Sequence, residues 1–422
     1  MAKPSGRAST AFRDALAGKR HPEKQKVNNS MSSFGNQTGA LVVGGDHPGL
    51  GVARSLGRRG IPVVVADDQY SVSPFSRYVS RTIRVKDLLD ERKTVDALLD
   101  IGHRLGLRDW VLFPTRDETV AAIARNRAEL APYFRVTTPE WQTAKWACNK
   151  KNTYELAGRL GIPCPQTFNP RTPEDLSALD SRLPLALKPA VKENFFYATG
   201  AKAWRVNTPR ELRDFFVRAS RQIRPEEILL QEIIPGDGSR QYSYCAFMKN
   251  GEARGSLVAR RLRQHPREFG RAATYVETLE MPAVEELSLR FLNAIGYYGL
   301  VEVEFKRDPR DNRYKLLDVN ARTWGFQCLG VPAGVDFAYL LYADQLGLPV
   351  PGCRAKPGVG WLRLVTDVPT ALADLAGGRL SPGDYARSLR RTGTESVFSS
   401  RDPLPSLAEL LLLPYTVFKR GF

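Results

Sequence analysis

Two short stretches place chemically useful residues at alternate positions. In "LLDVNAR" (316–322), Asp318, Asn320 and Arg322 alternate with Leu317, Val319 and Ala321. In "LVEVEF" (300–305), Glu302 and Glu304 alternate with Val301, Val303 and Phe305. Successive side chains of a β-strand point to opposite faces, so each stretch predicts a strand with one polar and one apolar face. "DPRDN" (308–312) is a turn candidate that would join them as an antiparallel hairpin. A turn centred near Asp311 sets Glu304 opposite Asp318 and Glu302 opposite Asn320. Three carboxylates and an amide then share one face. Carboxylates about 4 Å apart repel by about 4 kcal/mol at an effective dielectric of about 20. A bound cation reverses that sign. Carboxylate and amide oxygens suit a hard ion such as Mg2+, which bridges protein carboxylates and nucleotide phosphates. Arg322, two residues further along the face, suits a phosphate or a carboxylate.

Two lysines extend this set. Lys188 stands in "LPLALKPA" (183–190), where a lone ammonium among Leu and Ala needs an anion. Lys150 opens a helix behind Asn149, a capping residue. "ILLQEIIPG" (228–236) is a strand leaving the core into Pro-Gly. It offers an adenine backbone N–H and C=O edges beside apolar side chains. The four histidines belong to no Ser/His/Asp or Cys/His constellation, and His265 in "RQHPR" reads as a loop residue.

The elements that must position these residues alternate along the chain. Order begins at residue 39. A buried strand (40–43), the turn "GGDHPGLG", a helix (about 50–59) and a strand (63–66) ending in Asp67 and Asp68 make a βαβ unit. The turn lacks GxGxxG spacing, so it reads as close packing of helix on sheet rather than as a dinucleotide site. "WVLFP" (110–114) adds a strand and a helix follows, which makes residues 39–139 an open parallel α/β domain. Residues 140–350 mix helices with antiparallel hairpins, an α+β layering. "QYSYCAFMKNGEARGSLVAR" is a hairpin turning at Asn250-Gly251, residues 209–222 and 283–299 read as helices, and 191–207 reads as a polar loop. Residues 1–38 read as a disordered basic tail, and 351–422 as a small C-terminal extension.

Composition narrows the function classes. The chain has 422 residues, 42% hydrophobic and 25% charged, as expected of a soluble multidomain protein. It carries no apolar run long enough to span a bilayer. Cysteines 148, 164, 245, 328 and 353 are scattered without CxxC spacing, which favours free thiols in a reducing compartment. The net charge of +17 is concentrated partly in the tail and partly in Arg254, Arg260, Arg261, Arg263, Arg267 and Arg271. No helix-turn-helix, zinc finger or RNA-binding aromatic pattern accompanies it, so small anionic substrates are expected rather than nucleic acid. The final "AELLLLPYTVFKRGF" reads as a terminal helix docked on the core, with an anionic membrane surface as the alternative.

Together these residues resemble the ATP-grasp superfamily over about residues 39–350. "VEVEFKRD…LLDVNAR" carries the likeness most specifically, with Asp318 where Glu is commoner. Within the superfamily, "KAWRV", "QEIIPGDG", "RRLRQHPREFG" and "DPLP" are similar to carboxylate–amine ligases of the D-aspartate ligase type. The resemblance implies an N-terminal open parallel α/β domain, a two-lobed ATP-grasp fold and a small C-terminal extension. It implies ATP and Mg2+ as cofactors, two ions, with Mn2+ as the alternative. Glu304, Asp318 and Asn320 would hold metal, and Lys150 and Lys188 would hold phosphates. Gln231 to Ile234 would form the adenine hinge through Glu232 and the Ile234 backbone, with Asp237 beside it. The segment 191–207 has only Gly200, so Lys192 and Lys202 would replace a glycine-rich phosphate loop. Arg322 would stabilise the transferring phosphoryl group, and Arg260 and Arg261 would clamp the substrate carboxylate.

The implied reaction is amide formation through an acyl phosphate. The donor would be an amino acid, and the acceptor a cell-envelope or polysaccharide-related amine. Carboxylation, phosphorylation and non-catalytic nucleotide binding are the alternatives. A cytoplasmic place is expected, with contact at the inner membrane face as the variant. Oligomeric state is not legible.

Overall fold

The computed structural model describes residues 34, 35, 37–270 and 272–420. The expected basic tail therefore lies almost wholly outside the described residues, as do Arg271 and the side chain of Lys192.

The first sheet is parallel. Strands β1 (Ala40–Val43), β2 (Val63–Asp67), β3 (Arg81–Arg84), β4 (Trp110–Pro114) and β5 (Phe134–Val136) lie in the order β3-β2-β1-β4-β5. Every residue of "ALVV" in β1 is buried, as a central strand covered on both faces requires. Helix α1 (His47–Gly57) packs Val52, Ala53 and Leu56 on one face. Helices α2 (Glu91–Leu105) and α3 (Asp117–Arg125) pack Leu98, Ile101 and Ile123 on the other. The turn after β1 behaves as read. Gly44 has φ +100°, and a Cβ on Gly49 would lie 2.3 Å from the Gly44 carbonyl oxygen. Asp67 and Asp68 are already bonded within the chain. Arg116 donates to them at 2.7 and 2.6 Å, and Gly45 N–H donates to Asp67 at 2.7 Å.

Helices α4 (Trp141–Cys148) and α5 (Lys150–Arg159) lead into a small lobe. It holds strands β6 (Thr167–Phe168), β7 (Leu185–Pro189), β8 (Trp204–Val206) and β9 (Ile228–Glu232), in the antiparallel order β6-β9-β7-β8. Helices α6 (Lys192–Thr199) and α7 (Pro209–Ser220) belong to it. Leu185, Leu187, Val206, Phe216 and Leu230 form its core. Residues 192–199, expected as loop, are helical and stop at Gly200 with φ +70°.

The third sheet is the largest. Strands β10 (Gln241–Lys249), β11 (Glu252–His265), β12 (Ala272–Leu279), β13 (Gly299–Arg307), β14 (Tyr314–Asn320), β15 (Cys353–Arg354), β16 (Gly360–Leu362) and β17 (Thr392–Glu395) run β14-β13-β10-β11-β12-β16-β17, with β15 beside β11. Asn250 and Gly251 at the β10–β11 turn have φ +51° and +79°, the left-handed pair that a two-residue hairpin needs. Helices α8 (Pro282–Ala294) and α9 (Phe337–Gln345) pack on this sheet. Residues 351–420, expected as an extension, contribute β15, β16 and β17 to it. They add helices α10 (Leu364–Ala376), α11 (Pro382–Arg390) and α12 (Leu404–Arg420). Two buried ion pairs bind this segment back. Arg263 meets Asp367 at 2.7 and 2.9 Å, and Arg54 meets Asp402 at 2.9 Å.

Candidate active site

The β13–β14 hairpin has the expected register at the chemical residues. Glu302 pairs with Asn320, Val303 with Val319, and Glu304 with Asp318. Beyond Glu304 the register shifts, and Phe305 pairs with Leu316. Leu317 is thus the extra residue of a β-bulge, which re-aims its neighbours. Asp318 accepts from Lys150 Nζ at 2.5 Å. Asn320 Nδ2 donates to Glu302 at 3.0 Å and to Glu304 at 2.9 Å. Arg261 donates to Glu304 at 3.1 Å. Arg322 donates to Asp117 at 2.5 and 3.2 Å and to Asn320 Oδ1 at 3.2 Å. The expected repulsion across the hairpin is therefore offset by cations and an amide of the chain itself.

These partners set the charges. Burial and the neighbouring Glu304 push the Glu302 carboxyl up, toward neutrality. Burial also opposes ionisation of Glu304, but Arg261, Lys202 and the Asn320 amide outweigh it and hold Glu304 below the usual carboxylate range. Burial pulls Lys150 down, and Asp318 more than restores it. At Lys188 the attraction of Asp318 is outweighed. Burial, with Lys150 nearby, lowers it to about 7. Its Nζ donates to Tyr154 OH at 2.6 Å, and that hydroxyl donates to the carbonyl of the bulged Leu317 at 2.7 Å.

A cavity of about 440 Å³ lies between the small lobe and the large sheet, walled by Lys150, Lys188, Lys202, Glu304 and Asp318. Gln231, Glu232, Ile234 and Asp237 also line it. The Glu232 carboxylate, however, is held by Lys315 at 2.9 Å, Arg310 at 2.8 Å and Gln166 N–H at 3.0 Å. Its side chain is committed to the protein, which leaves the hinge backbone to meet a ligand. Gln231 donates to Thr167 at 2.7 Å, and Asp237 caps Ser239 at 3.0 Å. Lys306 donates to the Ile234 carbonyl at 2.9 Å.

A second cavity of about 300 Å³ adjoins the first, and Lys202, Arg261, Glu304 and Asp318 line both. Its outer wall comes from Asp46, His47, Arg116, Asp117, Trp361 and Arg363. His265, expected in a loop, ends β11 and faces this cavity. Arg260 does not. Adjacent strand residues face opposite ways, so Arg261 enters the site while Arg260 lines a separate cavity with Arg387 and Arg391. A clamp of both arginines on one carboxylate is ruled out by that alternation.

The donor set fits a hard divalent cation. Glu304 and Asp318 offer oxygens on the shared wall, Asn320 offers one on the side of the second cavity, and Glu304 is ionised. Among the described residues, no group of three or more His, Cys, Asp or Glu is placed to hold a metal ion by itself. Two carboxylates and an amide leave positions for water and phosphate oxygens, as Mg2+ prefers.

Sequence reasoning missed Tyr154, Asp117, Arg116 and Lys306. Tyr154 was within reach, since it lies four residues after Lys150 on α5 and so on the same face. Arg116 and Asp117 follow β4, whose neighbour β1 marks the point where strand order reverses; ligands of open parallel sheets bind at that crevice.

No family model matches the sequence. D-aspartate ligase of Enterococcus faecium (strain Aus0004) is 24% identical over 324 residues, which cover 72% of this chain and 76% of that protein. The L-amino acid ligase from Bacillus licheniformis superposes with a TM-score of 0.58 at 15% identity, over 74% of each chain. The biotin carboxylase domain of Hydrogenobacter thermophilus 2-oxoglutarate carboxylase, solved with MgADP and bicarbonate, gives 0.60 at 16% identity, over 77% of this chain and 74% of that one. The carboxyaminoimidazole ribonucleotide synthase of Aspergillus clavatus, solved with ATP, gives 0.57 at 17% identity, over 76% and 80%. The chain has the ATP-grasp fold, and in sequence it is similar to D-aspartate ligase.

Proposed function

We propose that the chain is an ATP-dependent carboxylate–amine ligase, with an amino acid as donor and a cell-envelope or polysaccharide-related amine as acceptor. One observation carries this reading. Lys202, Arg261, Glu304 and Asp318 stand between two adjoining cavities, one walled by Lys150 and Lys188 and one by Asp46, His47, Arg116 and Arg363. The sequence likeness to D-aspartate ligase supports the donor class.

The chemistry runs as follows. A donor carboxylate oxygen attacks the γ-phosphorus of ATP, the bond to ADP breaks, and an acyl phosphate forms. The amine nitrogen attacks the acyl carbon, the C–N bond forms, phosphate leaves with its electron pair, and the ammonium loses a proton. Lys150 and Lys188 hold the nucleotide phosphates, and Lys202 reaches both cavities. Arg261 and Arg322 stabilise negative charge on the transferring phosphoryl group and the acyl phosphate. Glu304, Asp318 and Asn320 would hold Mg2+, two ions in this reading with Mn2+ as the alternative, which offsets charge on the phosphates when bound. The reading places the protein in the cytoplasm, in keeping with five free cysteines.

The test is ADP release with Mg·ATP across D- and L-amino acids, with amine acceptors present and Glu304→Ala as control. Stimulation by one amino acid, lost in the variant, supports the ligase and names its donor. Stimulation by bicarbonate alone would select carboxylation instead.

A further inference from the structure

Helix α12 presents two unlike faces. Inward, Ala408 and Glu409 are buried, and Glu409 accepts from Arg363 at 3.0 Å. Tyr415 meets Tyr70 ring to ring at 5.3 Å. Outward, Leu404, Leu407, Leu410, Leu411, Val417 and Phe418 are between 42% and 93% exposed. At helical spacing they fall within one arc of about 140°. Glu409 is the only acid in residues 404–420, and it is turned inward, so the outer face carries none. Exposed aromatics flank the helix at Tyr70, Phe75 and Phe398.

The rim of this face is basic. Arg77 is exposed, and its backbone N–H donates to Asp402 just before the helix at 3.0 Å. Arg84 lies 4.8 Å over the Tyr70 ring, and exposed Arg401 and Lys419 bracket the helix ends. The neighbouring acids face inward: Asp402 onto Arg54 and Ser76, and Glu395 onto the backbone N–H groups of Leu364 and Val397.

We propose that this face docks on an anionic lipid bilayer, with α12 lying in the plane of the interface. A broad apolar arc with cations at its edge is the pattern of an interfacial helix. None of the described helices is long and apolar enough to cross a membrane, so the helix lies on the surface. A second copy is the poorer occupant, because two such faces would bring like-charged rims together on chains of net charge +17. Residues 1–33 are polar and basic and complement neither the arc nor the rim. Arg363, which lines the second cavity, is bonded to α12, so a docked bilayer would lie beside the second-substrate chamber. The inference needs neither ATP nor turnover and stands or falls apart from the ligase reading.

The test is cosedimentation of the full chain with phosphatidylcholine vesicles, alone or with roughly one-third phosphatidylglycerol. Binding is expected to be about tenfold stronger to the anionic vesicles and to weaken with salt. A Leu407→Asp/Leu411→Asp variant, altered only at exposed positions, should lose it by about tenfold and keep the wild-type melting temperature. Three results would overturn the proposal. One is no binding to anionic vesicles. Another is binding that the variant retains, which would place it in the basic tail. The last is a concentration-dependent dimer that the variant dissolves, which would assign the face to a second copy.

Discussion

Asn320 separates two carboxylates by donating to both. Asn320→Asp replaces that donor with a third carboxyl group beside the ionised Glu304, so the ligand-free protein should lose about 1–3 kcal/mol. Mg2+ should restore part of the loss, read as a melting temperature that rises more with Mg2+ than the wild type's does. Lys188 makes a prediction in pH. With its pKa lowered to about 7, it is largely neutral at pH 8 in the free protein. Nucleotide phosphates favour its charged form, so Mg·ATP binding should take up a proton at pH 8 and weaken as pH rises through 7. Calorimetry in buffers of different ionisation enthalpy reads this, and Lys188→Met should abolish the uptake. Alternation alone exposed Glu302, Glu304, Asp318 and Asn320 in the sequence, because a period of two is a local signal. The helix face that Tyr154 shares with Lys150 was legible, but its bond to Leu317 depends on a bulge that no pattern in "KLLDVN" announces.

Strand β11 decides between Arg260 and Arg261. Arg261→Ala should lower kcat/KM by about 10²-fold, whereas Arg260→Ala, on the opposite face, should stay within about twofold in the ADP-release assay. The sequence offered "RR" as a pair, and only the strand assignment separates them. The hairpin read in the sequence stopped at Arg260, because charged residues break the apolar alternation beyond it, whereas the strand continues through Arg261 to His265. Helix α6 was missed for a related reason. "KENFFYAT" carries one short apolar cluster and no cap, so its helix is set by Phe195 packing into the small-lobe core. In the C-terminal segment, Asp402 accepts from Arg54, Ser76 and Arg77 N–H. Asp402→Ala leaves the buried Arg54 charge uncompensated and should cost about 3–5 kcal/mol, read as a lowered denaturation midpoint.

At the scale of the molecule, the site is built from four separated parts of the chain. Arg116 and Asp117 come from the parallel domain, Lys150 and Lys188 from around the small lobe, Arg261, Glu304 and Asp318 from the large sheet, and Trp361 and Arg363 from the C-terminal segment. A parallel sheet followed by antiparallel strands was legible in the sequence because each has its own local period. It did not yield the second cavity, because no local signal links residues more than 200 positions apart. A ligand gripped between two lobes should stabilise both. Mg·ATP at about 100 times its Kd should add about 2.7 kcal/mol, seen as a raised melting temperature. The central claim is that a carboxylate is phosphorylated where the two cavities meet. The most direct measurement is a turnover with Mg·ATP, amine acceptors and amino acids carrying 18O in their carboxyl groups, followed by mass analysis of the released phosphate. One 18O per phosphate is the predicted result, since the acyl phosphate hands its bridging oxygen to phosphate. Phosphate released with ADP but free of 18O would contradict the account.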